Sequence, residues 1–183
     1  RDEFGLVPGA EVTTEANPDS VDAAGLRRLR DDGFTRVSFG MQSTAQHVLA
    51  VLERTHTPGR AVDAVADARA AGFEHVNLDV IYATPGETEA DFAASLEAAT
   101  SSGADHVSAY SLIVEDGTRL AARIRRGELP DVDDDVAADR YVQADEALTA
   151  AGFAWYEVSN WARPGGECRH NLGYWRGDDW WGI

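Results

Sequence analysis

Two groups of residues in this sequence could do chemistry. The first is the stretch CRHNLGYW, residues 168–175, which holds the one cysteine of the chain, Cys168. His170 and Asn171 follow it, then the aromatic pair Tyr174 and Trp175. Cys168 and His170 do not make a zinc site unaided, because structural zinc takes four ligands at recognisable spacing. No second Cys/His pair is near, and His56, His75 and His106 are scattered, the last two at the starts of strand-like runs. A histidine flanked by aromatics suits packing, or an axial bond to an iron porphyrin with Tyr174, Trp175, Trp180 and Trp181 as flat apolar surface. Composition alone favours packing. The second group is dispersed: Glu15, Gln42, Arg54 and Asp79. A guanidinium can grip a ligand carboxylate in a fork, and the carboxylates can accept from an amine or a ribose hydroxyl. That set suits a zwitterionic, nucleoside-like ligand. Paired carboxylates for hydrolysis, a Gly-rich phosphate loop and a nucleophile elbow are absent.

The elements that must position these residues follow a fourfold beat. DDGFTRVSFGMQS (31–43), AAGFEHVNLDVIY (70–82), SSGADHVSAYSLI (101–113) and AAGFAWYEVSNWA (150–162) each open on a glycine that ends a helical pattern. A run rich in Val, Phe, Tyr and Trp then begins within a few residues, as a strand does. Helical patterns cover 20–31, 43–53, 59–71, 88–102 and 135–151, and a further strand opens the chain in AEVTTEA. Strand alternating with helix predicts a parallel sheet under helices. Parity adds a cavity. Val37, Phe39 and Met41 share one face of their strand, with Ser38, Gly40 and Gln42 on the other; Val76, Leu78 and Val80 oppose Asn77 and Asp79. Val12 and Thr14 oppose Thr13 and Glu15, and Val107 and Ala109 oppose Ser108 and Tyr110. One face packs helices and the other is polar, with Glu15, Gln42 and Asp79 near strand C-terminal ends. The expected fold is α/β, a partial (β/α) barrel of parallel strands with outer helices and a ligand cavity on the polar side. YATPGET (82–88) is a strand-end turn entering a helix.

Composition narrows the function classes. The chain has 183 residues, 44% hydrophobic, enough for one domain with a sizeable core. It carries 32 acidic against 16 basic residues, net −16, and every basic residue is arginine. A surface so acidic argues against nucleic acid, which needs clustered cations. No apolar run approaches a membrane span, and one cysteine suits a reducing compartment. The expectation is a soluble, cytoplasmic protein that is not an integral membrane protein.

EVTTEANP, GFTRVSFGMQS, NLDVIYATPGET, YEVSNWARPG and CRHNLGYW together resemble the radical S-adenosylmethionine proteins of the oxygen-independent coproporphyrinogen oxidase type. Within that group the resemblance is to the heme chaperones. It implies a radical SAM core over residues 1–183, S-adenosylmethionine and a 4Fe–4S cluster as cofactors, and heme as cargo for apo-hemoproteins such as respiratory enzymes. It also implies that S-adenosylmethionine contacts fall on Glu15, Gln42, Arg54 and Asp79, with an adenine-pocket contact near Ile113. The pattern His170, Asn171, Tyr174, Trp175 is the one associated with heme binding, with His170 as the iron ligand. The alternative function is oxidative decarboxylation of coproporphyrinogen III.

Two departures from the family pattern stand out. The Cys-x-x-x-Cys-x-x-Cys motif that holds the cluster is absent, as are the glycine-rich strand end after it and the C-terminal domain. The chain therefore reads as an internal fragment. Ala83 and Thr84 stand where the family has Gly-Leu. With one thiolate against the three a cluster needs, this chain alone should show no iron–sulfur absorbance after anaerobic reconstitution, whereas the intact protein should. A stable cluster on the chain alone would overturn that reading.

Overall fold

Three of the outer helices begin where a side chain caps them. In the computed structural model, which describes residues 5–179, Asp22 accepts from Gly25 N at 2.6 Å to start α1 (Ala23–Asp31). Thr88 and Asp91 form a reciprocal capping box on α4 (Glu89–Ser101), and Asp133 caps α6 (Asp134–Ala150). Helix α3 (Arg60–Ala70) completes the outer layer. Gly33, Gly72, Gly103 and Gly152 close these four helices with φ between 85° and 95°, the left-handed conformation that glycine takes without a Cβ clash.

Four strands follow the expected parity. β1 (Thr13–Ala16), β2 (Arg36–Gln42), β3 (His75–Tyr82) and β4 (His106–Ser111) are parallel neighbours in that order. α3 lies over β2 and β3, α4 over β3, and α6 over β4. Val37, Phe39, Val76, Leu78, Val80, Val107 and Ala109 are fully buried beneath them. The other face carries Ser38, Asn77, Asp79 and Ser108. The sheet is open, with order β1-β2-β3-β4-β6-β5.

The structure departs from expectation in the last quarter. The fourth beat is not another parallel strand but a hairpin, β5 (Ala154–Glu157) and β6 (Asn160–Ala162), with β6 antiparallel to β4. Two residues, Val158 and Ser159, join the strands, which permits only antiparallel pairing. Helix 43–53 contracts to α2 (Gln46–Val51), and a short helix, α5 (Arg119–Arg125), was not foreseen. CRHNLGYW is neither a turn nor a metal loop: it forms the helix α7 (Arg169–Arg176), with Cys168 at its N-cap. Trp180 and Trp181, expected to extend its aromatic surface, lie outside the described residues. Among the described residues no helix is long and apolar enough to cross a membrane.

The YATPGET turn carries strain and a displaced titration. Ala83 has φ 61° and is 7% exposed, so its Cβ sits where glycine would be at ease. Its N–H donates to Glu87 Oε2 at 2.8 Å, while Glu87 Oε1 is buried without a partner. Burial pushes the Glu87 carboxyl from 4.5 up to about 7, against the hydrogen bonds from the turn. Ala83→Gly should stabilise the intact protein by about 1 kcal/mol, raising its melting temperature by about 1 °C. Because the folded state raises the Glu87 pKa, its contribution is fully present below about 4.5 and is lost as pH rises through about 7. Glu87→Gln should flatten that part of the stability–pH profile and gain on the order of 2 kcal/mol at pH 8. An unchanged slope between pH 5 and 8 would remove Glu87 as its source.

Candidate functional site

The C-terminal ends of β1, β2 and β3 bring Glu15, Gln42, Arg54 and Asp79 around one cavity of about 310 Å³. Each arrives by a different device. Glu15 stands on the polar face of β1. Gln42 ends β2 at a register shift, with φ 63°, and its amide folds back over Gly40. A Cβ at Gly40 would stand 2.7 Å from Gln42 Nε2, so glycine there leaves room for the amide. Arg54 is exposed on the segment after α2, and the preceding Glu53 has φ 54°. Gln42, Glu53 and Ala83 are the three non-glycine residues with positive φ among the described residues, and all sit at this end of the sheet. Such strain gathers at functional sites. Ile113 lies on the loop after β4, 74% exposed, and does not line the cavity of the other four.

Of the two carboxylates in this cavity, Asp79 is the one held by neighbouring side chains. Ser38 Oγ donates to its Oδ2 at 3.1 Å and Asn77 Nδ2 to its Oδ1 at 2.7 Å. Burial pushes its pKa up against those bonds, and the nearby Glu15 adds to the rise. A cationic group on a ligand would reverse that effect.

A second cavity, about 330 Å³, runs from Glu15 and Asp79 down the polar face to His106 and Arg36, and α7 closes it with His170 and Asn171. His106 and Tyr156 were missed in the sequence. His106 opens β4, and its position at a strand start suggested distance from the site, yet its ring faces the same lumen. It is 2% exposed and its pKa falls to about 3, chiefly from burial and next from Arg36. Its Nδ1 meets Asn77 Oδ1 and its Nε2 meets Tyr156 OH, each at 2.6 Å. Burial also pushes the Tyr156 phenol up to about 12. Tyr156 OH accepts from Cys168 N and from Asn171 Nδ2, both at 3.3 Å.

Helix geometry explains the spacing of the CRHNLGYW residues. His170 and Tyr174 are four apart, as are Asn171 and Trp175, so each pair stacks along one side of α7. The His170 and Tyr174 rings meet edge to face at 5.0 Å. Asn171 and Trp175 both donate to Glu157, at 3.3 and 3.2 Å, and Asn160 donates to the same carboxylate. Tyr174 and Trp175 are 55% and 63% exposed, and with Asn171, Tyr110 and Glu157 they line an open cavity of about 540 Å³. Exposed aromatics beside such a cavity offer apolar area to a flat ligand. Cys168 is buried, its Sγ faces Glu11 Oε1 at 3.5 Å, and burial raises its pKa, so it is a poor thiolate.

Comparison with known proteins agrees with this architecture. The family model of the radical SAM superfamily matches residues 2–99. The heme chaperone HemW of Mycobacterium tuberculosis is 62% identical over the whole chain, which covers 47% of that protein. HemW of Escherichia coli is 37% identical over 97% of this chain and 46% of its own length. The mitochondrial radical S-adenosyl methionine domain-containing protein 1 of Danio rerio is 37% identical over 95% of this chain and 39% of its own. The chain thus spans about half the length of the curated relatives it matches. Among solved structures, the radical SAM enzyme coproporphyrinogen III oxidase of Escherichia coli superposes with a TM-score of 0.76 at 24% identity. It is matched over 92% of this chain and 38% of its own. With more than half its length matched by the family model and its parallel strands carrying the polar residues of the lumen, the chain belongs to the radical SAM superfamily.

Proposed function

We propose that this chain is the core of a cytoplasmic heme chaperone that binds S-adenosylmethionine at Glu15, Gln42, Arg54 and Asp79. It carries heme on α7 for delivery to apo-hemoproteins such as respiratory enzymes. The observation that carries the reading is the placement of α7: it sets His170 and Asn171 on the cavity lined by Glu15 and Asp79, and exposes Tyr174 and Trp175 on a second cavity that shares Tyr110 and Asn171 with it. The donor set suits S-adenosylmethionine. Arg54 has a guanidinium for the carboxylate, and Glu15, Asp79 and the Gln42 amide suit an amine and ribose hydroxyls. Ile113, exposed at the same end of the sheet, would be the outermost contact, against the adenine. The relatives named heme chaperones support the cargo.

The residues described do not fit a 4Fe–4S cluster. Cys168 is the single thiol, and among the described residues no three His, Cys, Asp or Glu could hold a metal. On this reading the cluster ligands belong to a part of the protein outside residues 1–183, and no step is derived through the cluster. What these residues do is bind and orient. His170 would offer an imidazole nitrogen to the heme iron, and Tyr174 and Trp175 would shield the porphyrin face from water.

In the intact protein, His170→Ala should shift the Soret band of the heme-bound form and speed heme loss to apomyoglobin at least tenfold, with S-adenosylmethionine affinity of the heme-free protein unchanged. Cys168→Ser should have a smaller effect. An unchanged spectrum in the first and a lost one in the second would move the ligand to the cysteine. Turnover of coproporphyrinogen III in the same preparation would replace the chaperone reading by the decarboxylase. Arg54→Lys should weaken S-adenosylmethionine binding by about tenfold, because an ammonium cannot reproduce a planar two-point grip. Equal affinities by calorimetry would withdraw Arg54 from the site.

A further inference from the structure

A continuous line of buried and half-buried side chains joins the two candidate sites, and the polarity of every bond in it can be assigned. Asn77 Nδ2 lies 2.7 Å from both Ser38 Oγ and Asp79 Oδ1, so its Oδ1 faces His106 and Ser108. That oxygen only accepts, so His106 donates from Nδ1. A neutral His106 then has a bare Nε2, which can only accept, and Tyr156 donates its phenolic proton to it. The Tyr156 oxygen is left to accept from Cys168 N and Asn171 Nδ2. All donors point one way, from Asn171 on α7 through Tyr156, His106 and Asn77 to the carboxylate of Asp79.

The line has one other self-consistent arrangement, with each bond reversed. There Asp79 would be protonated and donate to Asn77 Oδ1, the Asn77 amide would be turned over, and His106 would carry its proton on Nε2. Tyr156 would then donate toward Asn171, whose amide would also have to turn. At that end Glu157 decides the matter. Its Oε1 takes the Asn171 Nδ2 proton at 3.3 Å, and a turned amide would set oxygen against carboxylate. Loss of the Asp79 charge would favour the reversed line, which Glu157 opposes at Asn171, so the state of Asp79 bears on the residue that anchors α7 to Tyr156 and Glu157. Asp79 faces Glu15, Ser38, Asn77, Ser108 and Tyr110, and although Arg54 lines the same cavity, no cation among the described residues forms an ion pair with it. A bound ligand with an ammonium or sulfonium group would.

We propose that the line Asp79–Asn77–His106–Tyr156–Asn171 couples the two sites, so that S-adenosylmethionine bound at Glu15 and Asp79 holds α7 in the arrangement that binds heme more tightly. His106 and Tyr156 are positioning residues in this scheme and touch neither ligand. The proposal rests on the assignment of the two ligands above. Coupling of this kind is reciprocal, so heme must tighten S-adenosylmethionine by the same factor.

The test uses the intact, cluster-reconstituted protein. Heme is titrated with and without saturating S-adenosylmethionine, and S-adenosylmethionine with and without heme. Both ratios should agree and exceed about fivefold, within the range usual for coupled sites. Tyr156→Phe keeps the ring and removes the hydroxyl that joins His106 to Asn171, and should bring both ratios to one. A wild-type ratio of one or below overturns the coupling, and so does a variant in which both affinities fall while the ratios keep their wild-type value. Failure of the wild type to bind heme at all overturns the ligand assignment itself, and the coupling with it. A measurement on the wild type guards against a Tyr156→Phe protein that does not fold. In histidine-labelled protein, the ring nitrogens of His106 should show the Nδ1–H tautomer, firmly neutral at pH 5–8, and should shift when S-adenosylmethionine is added. An Nε2–H tautomer, or nitrogen shifts indifferent to S-adenosylmethionine, overturns the proposal.

Discussion

The buried ion pair between Arg36 and Glu11 is the contact on which the lumen depends. Arg36 Nε lies 3.0 Å from Glu11 Oε2, with the two side chains 2% and 8% exposed. Arg36 Nη2 also donates to the carbonyl oxygens of Gly166 and Glu167, at 2.9 and 3.1 Å. The other Glu11 oxygen accepts from Arg169 N at 2.9 Å, at the first turn of α7. One carboxylate thus joins the segment before β1, the start of β2 and the N-terminus of α7. There it meets an unpaired helix amide and the positive end of the helix dipole. Burying two charges is costly, and a pair like this returns the cost only when further hydrogen bonds satisfy its remaining atoms. Here they satisfy Arg36 Nε and Nη2 and both Glu11 oxygens while closing the cavity floor, and Arg36 Nη1 alone of these atoms is buried without a partner. Loss of one partner would leave the other charge buried, at a cost of about 3–5 kcal/mol. It would also detach the helix carrying His170 from the sheet carrying Asp79.

That same contact shows why part of the structure was legible in the sequence and part was not. The parallel half was readable because its signals are local: glycine at each helix end, and alternation that separates Val37 and Phe39 from Ser38 and Gln42. The convergence of Glu15, Gln42, Arg54 and Asp79 follows from parity plus strand direction. Helix α7 was not readable. Its N-cap is Cys168, which makes no side-chain capping bond, and Gly173 sits in its interior. The group that caps it, Glu11, lies 158 residues away from Arg169. No window along the chain contains both. The hairpin β5–β6 was hidden for a different reason: it shares with the true crossover strands the glycine and the aromatic run, and only the two-residue turn distinguishes it.

The missed residues have a common character. His106, Tyr156 and Glu157 are polar groups placed by strands whose sequence positions looked structural. His106 seemed remote because it opens its strand. The lumen, however, extends down the full polar face to Arg36 at the foot of β2, so a strand-start residue on that face remains inside it. YEVSNW contributed to the family resemblance, yet Tyr156 and Glu157 suggested no chemistry of their own. Their role emerges only with α7 in place, because their partners are Asn171 and Trp175. Strain tells the same story from the other side. Left-handed backbone at Gln42 and Glu53 is invisible in residue type, and it determines where an amide and a guanidinium are aimed.

Between these two ends the lumen is chemically quiet. His106 stays neutral down to about pH 3 and Tyr156 keeps its proton up to about 12, so neither changes charge in a cell. Such fully bonded buried groups transmit orientation without titrating, and each is costly to leave unsatisfied. Responsiveness is left to the carboxylate at one end, Asp79, whose charge depends on what stands against it. At the other end, exposed aromatics on a helix anchored by Asn171 and Trp175 can accept and release a flat ligand without disturbing the core. A carrier must hold its cargo firmly and then give it up. On the reading proposed above, a cargo helix on the surface with its anchor in a one-way hydrogen-bonded line would separate those two requirements in space.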